Sequence, residues 1–284
     1  MNNTITAAFV TQFHDSFVAA AEQKESRLET TITSRGMITG SSFTANDMGA
    51  IEANQVTNRY GDTEWTIPDA GTRSALMSDY DIAIPIDNFD LPKLLANPQG
   101  DYLQRAIAAM NRKKDAVIYT ALRGSALRKT DELGTFAAVN LSGNQVIAAG
   151  GSGMTKAKII TARKVFRSNE SDNHNGEELY ITYDSGMLED ILSDTQLTSA
   201  DFMAVKMLQE GDVSGKWCGF NWVPYEALAG TSTKTAAHVG TGAGINTDVG
   251  PRRDKRNLIQ IYAAMSIGSV RVNEQKVVTI DYLV

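Results

Sequence analysis

Asn97 to Gly124, NPQGDYLQRAIAAMNRKKDAVIYTALRG, carries the longest unbroken helical pattern in the chain and limits what every other segment can pack against. Asn97 suits the N-cap, Pro98 the first helical position and Asp101 the positive end of the helix dipole. Leu103, Ile107, Met110, Val117 and Ala121 recur at three- and four-residue steps, and Ala106, Ile118 and Leu122 widen the stripe. Lys114 alone interrupts it. Arg123 in the last turn and a left-handed Gly124 are the expected stop. At 1.5 Å per residue this helix is about 40 Å long, more than one globular core requires. It predicts a spine that crosses the molecule.

What precedes the spine lacks a core of its own. Thr4 to Arg27 repeats Phe9, Phe13, Phe17 and Ala21 at four-residue steps, which predicts an amphipathic helix. Leu28 to Asn58 is rich in Thr, Ser, Gly and Asn, with Ile32, Met37, Ile38, Phe43 and Ile51 spread through it, and reads as an extended strap lying on other surfaces. From Asn58 to Asp90 a two-stranded excursion is expected, with Trp65 to Ile67 and Arg73 to Met77 as strands and Pro68 to Gly71 as the turn. An isolated hairpin is only marginally stable in water, so it needs a neighbour, including another subunit. Trp65, Arg59, Arg73, Asp79 and Asp81 here, and Arg252 and Arg253 near the end of the chain, are the candidate inter-subunit contacts. Asp79, Asp81, Asp87 and Asp90 offer hard-cation oxygens, but the calcium-loop spacing is absent; they read instead as acids that cap turns or pair with Arg73 and Arg59.

In order, RYGDTEW, TRSALMSDYDIAIPIDNFD and the spine segment resemble the major capsid proteins of tailed bacteriophages, the Hong Kong 97-like lineage, most strongly from Arg59 to Gly124. The matched positions are Gly61, Asp62, Thr63, Thr72, Arg73, Asp79, Tyr80, Asp81, Asp87, Asp90, Pro98, Tyr102, Arg112, Asp115 and Gly124. The resemblance implies an α+β chain with an N-terminal arm (1–57), an E-loop (58–85), a peripheral domain (86–180 and 257–284, including the spine 97–124) and an axial domain (181–256). It implies self-assembly into hexamers and pentamers of an icosahedral head around a double-stranded DNA genome. Implied partners are a portal and a decoration protein, and implied locations are the virion and, during assembly, the host bacterial cytoplasm. Relatives often carry an N-terminal scaffolding segment; the arm here is short for one, so a separate scaffolding protein is expected. Some relatives cross-link subunits through lysine, but no lysine lies between Lys24 and Lys93, so the E-loop lacks the amine.

The second half predicts a helix over Met154–Arg167, a strand over Glu178–Tyr183, helices over Gly186–Leu192 and Ser199–Gln209, an aromatic strand over Lys216–Val223, a mobile loop over Gly230–Gly250, and apolar strands over Leu258–Ile267 and Lys276–Leu283. Val139–Leu141 and Gln145–Ala149 are further short strand candidates.

Composition and motifs argue against other functions. The 284 residues are 42% hydrophobic, enough for a large core, and a net charge of -6 gives no global basic field for nucleic acid. Arg252, Arg253, Lys255 and Arg256 are a local exception, read as a solvated loop, a subunit salt bridge or a contact with DNA phosphates. Cys218 reads as a small apolar residue between Trp217 and Phe220. No 18-residue apolar run or basic leader is present. His14, His174 and His238 form no zinc motif, no G-x-S-x-G is present, and nothing calls for a cofactor. GGSGMTK at Gly150–Lys156 lacks the glycine before its lysine, and GTGAG at Gly240–Gly244 lacks the flanking strand and helix. A nanocompartment shell protein and a soluble enzyme are the alternative readings.

Overall fold

The computed structural model describes residues 22–34, 38, 40–57, 61–63, 65–87, 99–171, 174, 176, 178–193, 213, 216–228, 233–236, 245–252 and 258–283. Most of the helix expected over Thr4–Arg27, the helix Ser199–Gln209, the GTGAG loop, Asp90, Arg59 and Arg253 lie outside them.

The spine is α1, Gln99–Arg123, about 37 Å long at 1.5 Å per residue. Its two halves serve different cores. Ala106 and Met110 pack on a three-stranded antiparallel sheet of β11 (Ile245–Arg252), β12 (Leu258–Ile267) and β3 (Ser78–Ile86), against Ala263, Met265, Ile267, Tyr80, Ile82 and Ile84. The register places Ile261 opposite Ile84, Ala263 opposite Ile82 and Met265 opposite Tyr80, so both strands turn the same alternate residues to the helix. Ile118, Tyr119 and Leu122 enter the main core instead. There they meet α2 (Lys156–Ser168), α3 (Ser185–Ser193), and β7 (Tyr180–Tyr183), which pairs in parallel with β9 (Phe220–Pro224). A third sheet, β10 (Thr233–Ala236), β13 (Thr279–Leu283) and β6 (Val146–Ile147), contributes Ile280 and Tyr282.

The excursion is built differently from the sequence expectation. Its inner strand β2 (Ala70–Leu76) pairs not with Trp65–Ile67 but with β1 (Ser42–Met48), drawn from the expected strap, in a register running from Ser42 opposite Leu76 to Met48 opposite Ala70. Phe43 and Ala45 face Ala75, Ala126 and Val270, an alternation long enough to specify a strand, whereas Trp65–Ile67 has no partner face to bury. The sheet continues through β4 (Ala126–Lys129) to β5 (Ala137–Val139). The expected boundary between residues 57 and 58 therefore falls inside the loop of one hairpin.

Three further expectations change. Gly230–Gly250 contains β10 and the start of β11 rather than one continuous loop, because β13 and β12 each offer an edge to pair with. Lys216–Val223 is a tight hairpin, β8 (Lys216–Trp217) and β9, turned by Cys218 and Gly219, both at positive φ (50° and 81°). Cys218 is therefore a half-buried turn residue, not a strand filler. Residues 22–27 are not helical; they cross α1 and are held there by Asp115.

Candidate functional site

Two charged anchors hold extended segments to α1 and to the segment between β12 and β13, and beyond one of them projects an apolar loop. The first anchor is on the spine. Asp115, fully buried, accepts hydrogen bonds from Gln23 Nε2 (2.5 Å), Ser26 Oγ (2.6 Å), Arg27 N (3.0 Å) and Leu28 N (3.2 Å). Lys114, the interruption in the predicted apolar stripe, pairs with Glu29, and Arg112 reaches Glu22 Oε2 at 2.6 Å. Arg27 Nη1 continues to Pro224 O, tying the arm to β9 (2.9 Å). The middle of the stripe is polar because the chain itself crosses the helix there.

The second anchor fixes the hairpin. Arg73, 2% exposed, donates from Nε and Nη2 to Asp47 Oδ2 (2.9 and 2.8 Å), from Nη2 also to Glu274 Oε2 (2.6 Å), and from Nη1 to Glu274 Oε1. Arg128 Nε donates to the same Asp47 oxygen (2.9 Å) and its Nη2 to Asp69 (3.0 Å). Burial alone would lower the Arg73 pKa, but the bonds to Glu274 and then Asp47 hold it above its ordinary value. Burial would raise the Glu274 carboxyl, yet Arg73 keeps it below the ordinary carboxylate range. The cluster lies so close to the backbone of residue 71 that a Cβ there would sit 2.5 Å from Arg128 Nε and 2.6 Å from Asp47 Oδ1. A side chain at that position would push the Arg128 guanidinium and the Asp47 carboxylate aside.

A neighbouring guanidinium closes the spine. Arg271, buried, donates from Nη1 to Leu122 O (2.8 Å) and Gly124 O (2.5 Å) and from Nη2 to Val139 O (2.9 Å). The helix ends on this remote cation and on the bond from Gly124 N to Thr120 O, not on a left-handed Gly124 or on Arg123, which is exposed.

Between β1 and β2 every described residue from 49 to 67 is exposed. Val56, Trp65 and Ile67 are 81%, 88% and 86% exposed, and Asn54 Nδ2 reaches Thr66 Oγ1 across the loop at 3.2 Å. Large apolar side chains grouped this way in water mark an interaction surface.

Of the candidate contacts, Trp65 stands on this loop. Asp79 and Asp81 lie exposed on β3, the outer strand of its sheet among the described residues. They do not meet Arg73, which the chain consumes internally: its partners are Asp47 and Glu274, brought alongside by the β1–β2 register and the segment after β12. Arg252 closes β11, opposite Leu258. Sequence reasoning missed Asp47, Glu274, Arg271 and the clamp role of Asp115; the one local signal was charge inside an apolar stripe. The Gly150–Lys156 loop is held by neighbouring side chains. Lys158 Nζ donates to Ser152 O and Gly153 O (both 2.8 Å), and Met154 N donates to Asp190 (2.6 Å), so a carboxylate of the chain itself already sits against this loop. Burial lowers the Lys158 pKa. Among the described residues no three His, Cys, Asp or Glu side chains gather as a metal site.

A family model described as "Phage capsid protein" matches residues 5–284. No curated protein matches the sequence. Among solved structures, the capsid of Ralstonia phage GP4 superposes with a TM-score of 0.68 at 11% identity, covering 96% of this chain and 95% of that one. The capsid of cyanophage P-SCSP1u gives 0.65 at 14% identity over 100% and 96%. The capsid of a native GTA particle gives 0.68 at 8% over 96% and 95%.

Proposed function

We propose, from the premise that this chain belongs to the phage capsid protein family across residues 5–284, how its fold builds a shell. It is a major capsid protein of a phage head, and copies of it assemble into an icosahedral shell. The family match favours this over a nanocompartment shell, and the family is one of structural proteins; we assign no catalytic role. The assembly mechanism is geometric. The hairpin and the arm are each fixed to the body by a buried ionic anchor, so the apolar loop 49–69 is presented from a firm base and is covered by a neighbouring subunit in hexamers and pentamers. The exposure of Val56, Trp65 and Ile67 in the single chain carries this reading. Burying those side chains only between copies couples stability to assembly. The layout expected from sequence, arm 1–57, E-loop 58–85, peripheral domain 86–180 with 257–284 and axial domain 181–256, belongs to the same proposal. So do Asp79, Asp81, Arg252 and Arg253 as subunit contacts, a scaffolding protein, portal and decoration protein as partners, the double-stranded DNA genome as content, and the host cytoplasm as the place of assembly. Among the described residues no helix is long and apolar enough to cross a membrane.

The double variant Trp65→Glu with Ile67→Glu tests the mechanism. Its urea unfolding should match the parent within about 0.5 kcal/mol, as for exposed positions, while electron microscopy shows shells lost. Equal loss of folding and assembly, or normal shells, would refute it.

A further inference from the structure

We infer that the outward face of the hairpin sheet, β1, β2, β4 and β5, is covered in the shell by a second copy of this chain, the same copy that covers the loop it supports; the inference rests on the reading of loop 49–69 as a contact between copies. The distribution of charge across the sheet is inverted. By register, Asp47, Arg73 and Arg128 share the inward face with the buried Phe43 and Ala45. The outward face presents Thr44, Met48, Ser74, Leu76, Leu127 and Ala138, with Leu127 placed between Ser74 and Ala138. An antiparallel sheet with one face in water ordinarily turns its apolar residues inward and its charges outward. Here the charges are consumed within the chain, and the face left outside mixes apolar with small hydroxyl side chains. Its one charged strand residue, Lys129, is half-buried and drawn back: Nζ donates to Glu132 O (2.7 Å) and lies 5.9 Å from the centre of the Phe136 ring. Met48 and Leu76 are 73% and 69% exposed, and Leu127 and Phe136 are exposed as well. Depletion of charge is what separates the buried core of an interface from ordinary surface.

The size of this face and its continuation identify what covers it. At about 4.8 Å between strands and 3.4 Å per residue along them, it spans roughly 350 Å², less than half of the ~800 Å² per partner that a stable interface buries. The apolar surface does not end with the strands. Met48 closes β1 and leads directly into the loop that carries exposed Ile51, Val56, Trp65 and Ile67 before the chain returns through β2. Sheet face and loop are continuous along the chain, and only together do they reach the area of a lasting contact. The partner that covers the loop therefore covers the face beside it, and that partner is another copy.

Hydroxyl-radical footprinting of the full-length chain, as free subunits and as shells assembled with no decoration protein present, reads this coverage side chain by side chain. Oxidation of Met48, Leu76 and Leu127 should fall severalfold on assembly, along with that of Trp65. Protection of Trp65 without protection of Leu76 and Leu127 would overturn the inference and leave the loop reading standing. Protection of none of them would overturn both. Protection of Leu76 and Leu127 only after another protein is added would assign the face to that partner and also overturn the inference. The double variant Leu76→Glu with Leu127→Glu, which leaves the loop intact, should keep the urea midpoint of the free subunit and lose shells by electron microscopy; normal shells would refute the contact. Should that variant fail to fold, the footprint of the parent chain decides.

Discussion

Arg73 is the residue on which the hairpin depends. Its guanidinium is enclosed by two carboxylates, and truncating it leaves Asp47 and Glu274 charged, largely buried and facing each other. Removing one partner of a buried pair is far more damaging than replacing the pair. Arg73→Ala should cost about 3 kcal/mol, measured by urea unfolding at neutral pH. Glu274 gives a pH signature. Its folded pKa lies below the ordinary 4.5, so its stabilising contribution is fully present above that value and is lost as pH falls through the folded pKa. In an acid titration of unfolding free energy, Glu274→Gln should be less stable than the parent at neutral pH, and the gap should close below pH 4.5. A gap that persists unchanged into strong acid would remove the ion pair as its cause.

Among elements, α1 has the most unusual supports. Its C-terminal carbonyls are satisfied by Arg271, about 150 residues later in the chain, rather than by a residue of its own last turn. Burial lowers the Arg271 pKa, but a guanidinium stays charged and bonds to charged donors are the stronger class. Arg271→Met keeps much of the volume and removes the donors; it should cost about 2 kcal/mol and speed hydrogen exchange at the end of α1 before elsewhere. Uniform acceleration across the chain would show that the cap is not local. The β8–β9 hairpin shows the same interlocking on a smaller scale: Gly219 is left-handed, and Arg163 fills the space where a side chain would go.

For the whole molecule, the subunit is a body with an unburied apolar loop, and the shell is its completed form. Limited proteolysis should cut free subunits first between residues 49 and 69, where every described side chain up to Ile67 is exposed. Assembled shells should resist cleavage at the same bonds. Equal cutting in both states would mean that the loop stays uncovered after assembly.

The spine, β12, β13, α2 and the strand-to-helix step at Asp184 were legible in sequence because each is a local pattern: a period of 3.6 or 2, or a cap whose carboxylate accepts Met187 N three residues on. The strand expected over Arg73–Met77 is present, but its partner was misread, because a strand exists only where a partner face exists, and Phe43 and Ala45 found one that Trp65 and Ile67 lack. Lys114 stood in plain view as charge in an apolar stripe, but the four donors to its neighbour Asp115 come from almost 90 residues earlier, and the Arg73 cluster joins residues up to about 200 apart. Sequence alone determined the elements with internal periodicity and the order of segments that marks the family. The tertiary structure decided which strands pair, which charges are shared inside the chain and which apolar surface is left over, because these depend on contacts whose distance along the chain no local pattern encodes.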